Sequence, residues 1–168
     1  PTAAIHMVSA WANRNRLVLG QLKVDAKSHA ITAIPQLIKL LDLEGAIVTI
    51  DAMGCQKDIA QAITEQEADY VLALQENHKT LYDEVTLLFA DARATDVAGI
   101  DHEHDETVDG DHGRIETRTY WITSDIEWLE AKGSWAKLHS VGMVESRREV
   151  EQSVAIDTRL FITSLPCD

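Results

Sequence analysis

An aspartate that follows an apolar, β-branched run is the residue with the clearest chemical potential in this sequence. Asp51 comes directly after residues 46–50 (AIVTI), and Gly54 then permits a tight turn. In proteins that alternate strands and helices, catalytic and metal-binding groups lie at the carboxyl ends of buried strands. A carboxylate there suits Mg²⁺, which takes one or two carboxylates together with substrate phosphate. The alternative is that Asp51 only caps the next helix.

A second group of candidates is a charged row near residue 115. His112 precedes a strand-like segment in which Arg114, Glu116 and Arg118 alternate with other residues. Alternation along a strand projects these three side chains from one face. Two arginines around one glutamate favour either a salt-bridged structural row or a row that contacts phosphate and is held in place by Glu116.

An acidic stretch precedes that row and overlaps its first residues. Residues 101–116 contain seven acidic residues and one arginine, and His102 and His104 lie among them. Zinc ligands usually have spacings fixed by a turn or a helix. We therefore interpret the stretch as a solvated loop that leads into a strand.

The elements that must position these residues follow from hydrophobic periodicity. The pattern predicts an antiparallel hairpin over 5–12 and 17–24, followed by a helix with Pro35 inside it. Further strands are predicted at 46–50, 70–74, 115–122, 140–145 and 160–163, further helices at 57–66 and 80–92, and a helical turn within 125–137. The run 46–50 is typical of a strand buried on both faces. Together these elements indicate an α/β fold with a mixed sheet and flanking helices.

Length and composition limit the class of protein. The 168 residues carry a net charge of −13, are 45% hydrophobic and contain two cysteines. They fit a single domain over 1–168 and exclude disordered and fibrous classes. No apolar run is long enough to span a membrane, and the cysteines are too few for a disulfide framework. The charge argues against a surface that grips DNA phosphates.

Several segments resemble a known family. Residues 47–56 (IVTIDAMGCQ), 112–116 (HGRIE) and 160–165 (LFITSL) follow one another as in bacterial insertion-sequence transposases related to the H-repeat-associated proteins. The resemblance extends over residues 5–166. It implies a ribonuclease-H-like core in which an Asp-Asp-Glu triad holds two Mg²⁺ (or Mn²⁺) ions that cleave and join double-stranded DNA at the element's ends.

Within that pattern Asp51 matches the second aspartate. The first aspartate, in an Asp-Gly-Lys segment, and the glutamate, in a Trp-x-x-Glu-Asn-type helix, have no match in this sequence. We therefore expect an incomplete core without its first strand and final catalytic helix, which is inert by itself. Residues 93–140 are expected to be an insertion or extension with an acidic loop.

The segment 75–78 departs from the family, which tends to have Lys-x-Asn-Gln where this chain has Gln-Glu-Asn-His. Asn77 is retained and is expected to support the site. Two alternatives stay open: a non-catalytic remnant or interaction module, and a metal-dependent nuclease of the same fold. For all of them we expect a bacterial cytoplasmic protein, with a homo-oligomer left open because an uncovered sheet edge invites pairing.

Overall fold

The computed structural model describes residues 6–24, 30–94, 102–111, 114–150 and 153–167. Eight strands and three α-helices lie within these ranges: β1 (His6–Ala12), β2 (Leu17–Val24), α1 (Ala30–Lys39), β3 (Ile47–Ile50), α2 (Lys57–Thr64), β4 (Asp69–Leu74), α3 (Lys79–Ala94), β5 (Glu103–Asp111), β6 (Arg114–Thr123), β7 (Ser140–Val150) and β8 (Ser153–Thr163). None of the helices in these ranges is long and apolar enough to cross a membrane.

The strands form two separate sheets. β1 and β2 pair as the predicted antiparallel hairpin, and they make a two-stranded sheet of their own. The remaining strands form one six-stranded sheet in the order β3-β4-β8-β7-β6-β5. β3 and β4 are parallel, and every other neighbouring pair is antiparallel. The chain is therefore a mixed α/β protein, as the periodicity predicted.

The core lies between one face of the large sheet and the helices α2 and α3. Ile59 and Ile63 of α2, Val85 of α3, and Leu72 and Ile162 of the sheet are fully buried there. After a short turn, helix α2 follows β3 and returns the chain to β4, so the parallel pair has the helical crossover that parallel strands need. Burial of this apolar surface fixes β3 and the turn after it.

Two expectations about the strands were wrong. β3 is not buried on both faces, because it is an edge strand and Ile47 is 57% exposed. The acidic stretch is not a loop, because residues 103–111 form β5 along the edge of β6. An edge strand can carry many charges because both of its faces stay in water.

Candidate active site and arginine face

Asp51 lies at the carboxyl end of β3, where the sequence predicted it. Its side chain is exposed, and its Oδ1 accepts a hydrogen bond from the backbone N–H of Gly54 at 3.3 Å. This bond caps a single 3₁₀ turn over Ala52–Gly54. The two interpretations of Asp51 are therefore compatible, since one oxygen caps the turn while the carboxylate remains open to solvent.

The turn has room only for glycine at position 54. A Cβ built there would lie 2.2 Å from Cγ2 of Ile50 and 3.2 Å from Cδ1 of Ile34. Gly54 thus allows the chain to fold back closely over the end of β3. That close packing sets the direction in which Asp51 leaves the strand.

Two side chains of the segment after β4 form hydrogen bonds with the same turn. Asn77 Nδ2 donates to the carbonyl oxygen of Ala52 at 3.1 Å, and His78 Nε2 donates to that of Cys55 at 2.6 Å. The His78 ring also contacts Trp135 edge to face, with centroids 5.0 Å apart. Asn77, expected to support the site, contacts the turn that Asp51 caps. His78 was missed, because nothing in the sequence indicates which carbonyl its ring reaches.

The charged row on β6 is built around Glu116, whose side chain is only 9% exposed. Arg118 Nη2 lies 2.5 Å from Glu116 Oε1, and Arg148 Nη2 lies 3.6 Å from Oε2. The hydrogen bond from Arg118 lowers the pKa of Glu116, with smaller contributions from the charges of Arg148 and Arg114. The same bond raises the pKa of Arg118. Glu116 is therefore held ionised among arginines.

Arg148 was not identified from the sequence. It lies opposite Glu116 only because β6 and β7 pair in this register, 32 positions apart in the chain. Arg114 is exposed at the start of β6 on the same face. His112, the remaining predicted site residue, lies outside the described residues. The structure thus brings Glu116 and Arg118 together as expected and adds Arg148.

Asp51 and the arginine row do not touch, but the register relates them. Ile50 and its partner Leu72 face the core, so by alternation Asp51 lies on the other face of the sheet. The paired residues Ala73 and Phe161 lie on that same outer face. The arginine row continues on that face. Among the described residues no group of three or more His, Cys, Asp or Glu side chains could hold a metal ion.

Comparison with known proteins gives a consistent result. A family model described as Transposase DDE domain matches residues 2–149. An uncharacterised protein encoded in the dhlA 3′ region of Xanthobacter autotrophicus is 45% identical over 165 residues, which is 98% of this chain and 55% of that protein. No solved structure matches the chain.

Two relatives from Escherichia coli carry transposase names. The protein named "Putative transposase YncI" from strain O157:H7 is 39% identical over 98% of this chain and 43% of its own length. The protein named "H repeat-associated putative transposase YhhI" from strain K12 is 36% identical over 96% of this chain and 43% of its own length. The chain therefore spans 43% to 55% of the length of these three relatives.

Proposed function

The chain belongs to the transposase DDE domain family, and we propose from this membership that it is part of the catalytic domain of a DNA transposase. The full protein would cleave and join double-stranded DNA at the ends of a mobile element. The observation that carries this proposal is Asp51, which lies exposed at the carboxyl end of β3 within the stretch that the family model matches. We propose that the protein works in the bacterial cytoplasm, because its DNA substrate is there.

Asp51 is the residue of this chain that would hold a divalent metal, Mg²⁺ or Mn²⁺. An exposed carboxylate is the type of oxygen ligand that these ions prefer. When bound, such ions stabilise the charge that develops on the attacking and leaving oxygens of a phosphodiester. Asn77 keeps the Asp51 turn in place through Ala52, and His78 does so through Cys55.

The arginine row would contact the DNA backbone. Arg114 and Arg118 project from the face that also carries Asp51, and Glu116 orients Arg118. Guanidinium groups held by a carboxylate are suited to bidentate contact with phosphate. His112 precedes this row in sequence, and we propose that it supports the same region.

The chain by itself would be inactive. Asp51 supplies a single ligand, and no metal-binding group of three or more side chains is found in the described ranges. The other ligands of a two-metal site would come from the rest of the full-length protein. Calorimetric titration of the 168-residue chain with Mn²⁺ should therefore detect no tight site, and tight binding of two ions would contradict the assignment of ligands.

The reaction is tested in the full-length protein with DNA that carries the ends of the element. Asp51→Asn should abolish cleavage, because a neutral amide oxygen binds a divalent cation much more weakly than a carboxylate does. Asp42→Asn, at an exposed position before β3, is the matched control and should retain cleavage. Cleavage by the Asp51→Asn variant would show that Asp51 is not a metal ligand of the active site. Cleavage without joining by the wild type would favour a nuclease, and no cleavage at all would favour a non-catalytic remnant.

A further inference from the structure

We propose that the face of β6, β7 and β8 that carries Arg118, Arg148 and Arg159 is a groove for nucleic-acid phosphates. This inference rests on the proposed function, because it takes DNA as the ligand. It adds two arginines, Arg148 and Arg159, that the sequence did not single out. It also gives the direction in which DNA would lie relative to Asp51.

The three arginines line one cavity of about 510 Å³ together with Glu116, Ser146 and Asp157. Strand register brings them together. Arg148 lies opposite Glu116 on the neighbouring strand, and Ser146 lies between Arg118 and Asp157. Arg159 lies opposite Val144, on the same face and nearer to β4. Residues distant in sequence therefore form one continuous surface.

Each arginine in the groove is oriented by a carboxylate and still exposed. Glu116 holds Arg118 at 2.5 Å and Arg148 at 3.6 Å, and Asp157 Oδ2 accepts from Arg159 Nε at 3.0 Å. The side chains of the three arginines remain 43%, 55% and 72% exposed, respectively. A guanidinium has five N–H donors, so a bond to one carboxylate leaves donors for a phosphate. Side chains that are already ordered lose less entropy when they bind.

The local charge also favours an anion. Three arginines face two carboxylates in this cavity, which leaves a balance of +1 in a chain whose net charge is −13. The acids of β5 limit the groove on one side, since Asp105 and Asp109 lie beside Tyr120 and Glu116 on the same face. DNA would therefore lie toward β7, β8 and β4 and away from β5.

That direction leads to Asp51. Arg159 is two residues from Phe161, and Phe161 is paired with Ala73 at the level where β3 ends. Asp51 and Arg159 are separated by two strand spacings of about 4.8 Å and by two residues of about 3.4 Å along the strand. Their Cα atoms therefore lie roughly 12 Å apart. Along the axis of B-form DNA, which rises about 3.4 Å per base pair, this distance corresponds to roughly three to four base pairs. One duplex could thus contact the arginines while a phosphate near them lies at Asp51.

The test compares neighbouring arginines on opposite faces of β7. Binding of a fluorescein-labelled duplex to the 168-residue chain is measured by anisotropy over a range of salt concentrations. Arg148→Gln and Arg159→Gln should each weaken binding about tenfold and reduce the salt slope by about one, as expected for the loss of one phosphate contact. Arg147→Gln is the matched control, because Arg147 is 51% exposed, pairs with Glu149 and points to the other face.

The outcomes separate the groove from other sources of binding. If Arg147→Gln weakens binding as much as Arg148→Gln, attraction is not specific to this face and the proposal fails. It also fails if neither Arg148→Gln nor Arg159→Gln changes the affinity, or if the wild-type chain binds no DNA. Arg148→Lys, which keeps the charge, should recover part of the affinity, and unchanged thermal unfolding of each variant excludes misfolding.

The binding assay and the cleavage assay on the full-length protein together distinguish this proposal from the proposed reaction. Asp51→Asn keeps all three arginines of the groove and removes a negative charge, so it should not weaken binding of the duplex. If the full-length Asp51→Asn variant still cleaves DNA while Arg148→Gln binds poorly, the catalytic assignment fails and the groove stands. If cleavage depends on Asp51 but binding is insensitive to Arg148 and Arg159, the groove fails and the catalytic assignment stands.

Discussion

At the scale of single residues, the two roles of Asp51 can be separated by substitution. An asparagine oxygen can still accept the hydrogen bond from the Gly54 N–H, whereas alanine cannot. Asp51→Ala should therefore lower the free energy of unfolding by about 1 kcal/mol, the usual cost of losing a cap, and Asp51→Asn by less than half of that. Urea denaturation of the 168-residue chain measures both. Equal losses in the two variants would mean that the charge, rather than the cap, stabilises the turn.

Glu116 gives a prediction about pH. Its pKa is lowered in the folded chain, chiefly by the hydrogen bond from Arg118. The stability it contributes is therefore present above the ordinary glutamate pKa of about 4.3 and is lost as the pH falls through the lowered value. Glu116→Gln should lower the melting temperature at neutral pH, and the difference from wild type should shrink in acid.

Thermal unfolding followed by circular dichroism at several pH values checks this. Glu44→Gln is the control, because Glu44 is exposed in the turn before β3 and should give the wild-type melting temperature at every pH. A Glu116→Gln difference that is constant with pH would show that packing, not ionisation, is responsible.

At the scale of elements, the helices and strands with a strong hydrophobic periodicity were predicted well. Helices expected at 57–66 and 80–92 are Lys57–Thr64 and Lys79–Ala94, because each has an apolar stripe that the sheet covers. The exposure of β3 and the strand at 103–111 could not be predicted. The exposure of β3 and the formation of the strand at 103–111 depend on which neighbouring strand each one pairs with. Cross-strand packing decides strand formation more than the intrinsic preference of the residues does.

The turn between β3 and α2 gives a prediction at this scale. Gly54→Ala would force a Cβ to 2.2 Å from the β-branched side chain of Ile50, which has little freedom to rotate away. We expect a loss of about 1–3 kcal/mol in the free energy of unfolding, typical of overpacking. Gly133→Ala is the control, since a Cβ there would meet nothing within 4 Å. Chemical denaturation that ranks the two variants equally would contradict the close packing of this turn.

At the scale of the whole molecule, the net charge of −13 alone was a poor guide to the surface. Glu103, Asp105, Glu106 and Asp109 are exposed on the edge strand β5, whereas Arg148 and Arg159 lie on inner strands. The Arg114 row was predictable because it is local in sequence. Its partners were not, since Arg148 pairs with Glu116 across 32 residues and Arg159 reaches the row only through the further pairing of β8 with β7.

The reactivity of the two cysteine thiols shows whether the core beneath the Asp51 turn opens without global unfolding. Cys55 has no exposed surface, and burial raises the pKa of its thiol to about 12, whereas Cys167 is partly exposed. Because the thiolate is the reactive form, Cys55 should react only when the core opens. In native buffer we expect Ellman's reagent to modify one thiol quickly and the second at a rate that rises with denaturant in parallel with global unfolding.

A Cys167→Ser variant identifies the two phases, since it should lose the fast one and keep the slow one. Fast modification of Cys55 in that variant would mean that the region around α2 opens without global unfolding. The carbonyl of Cys55 accepts the hydrogen bond from His78, so such opening would also release the contact that fastens the turn after Asp51. Slow modification would instead mean that the carboxylate is carried by a turn as stable as the core, which is what a preorganised metal ligand requires.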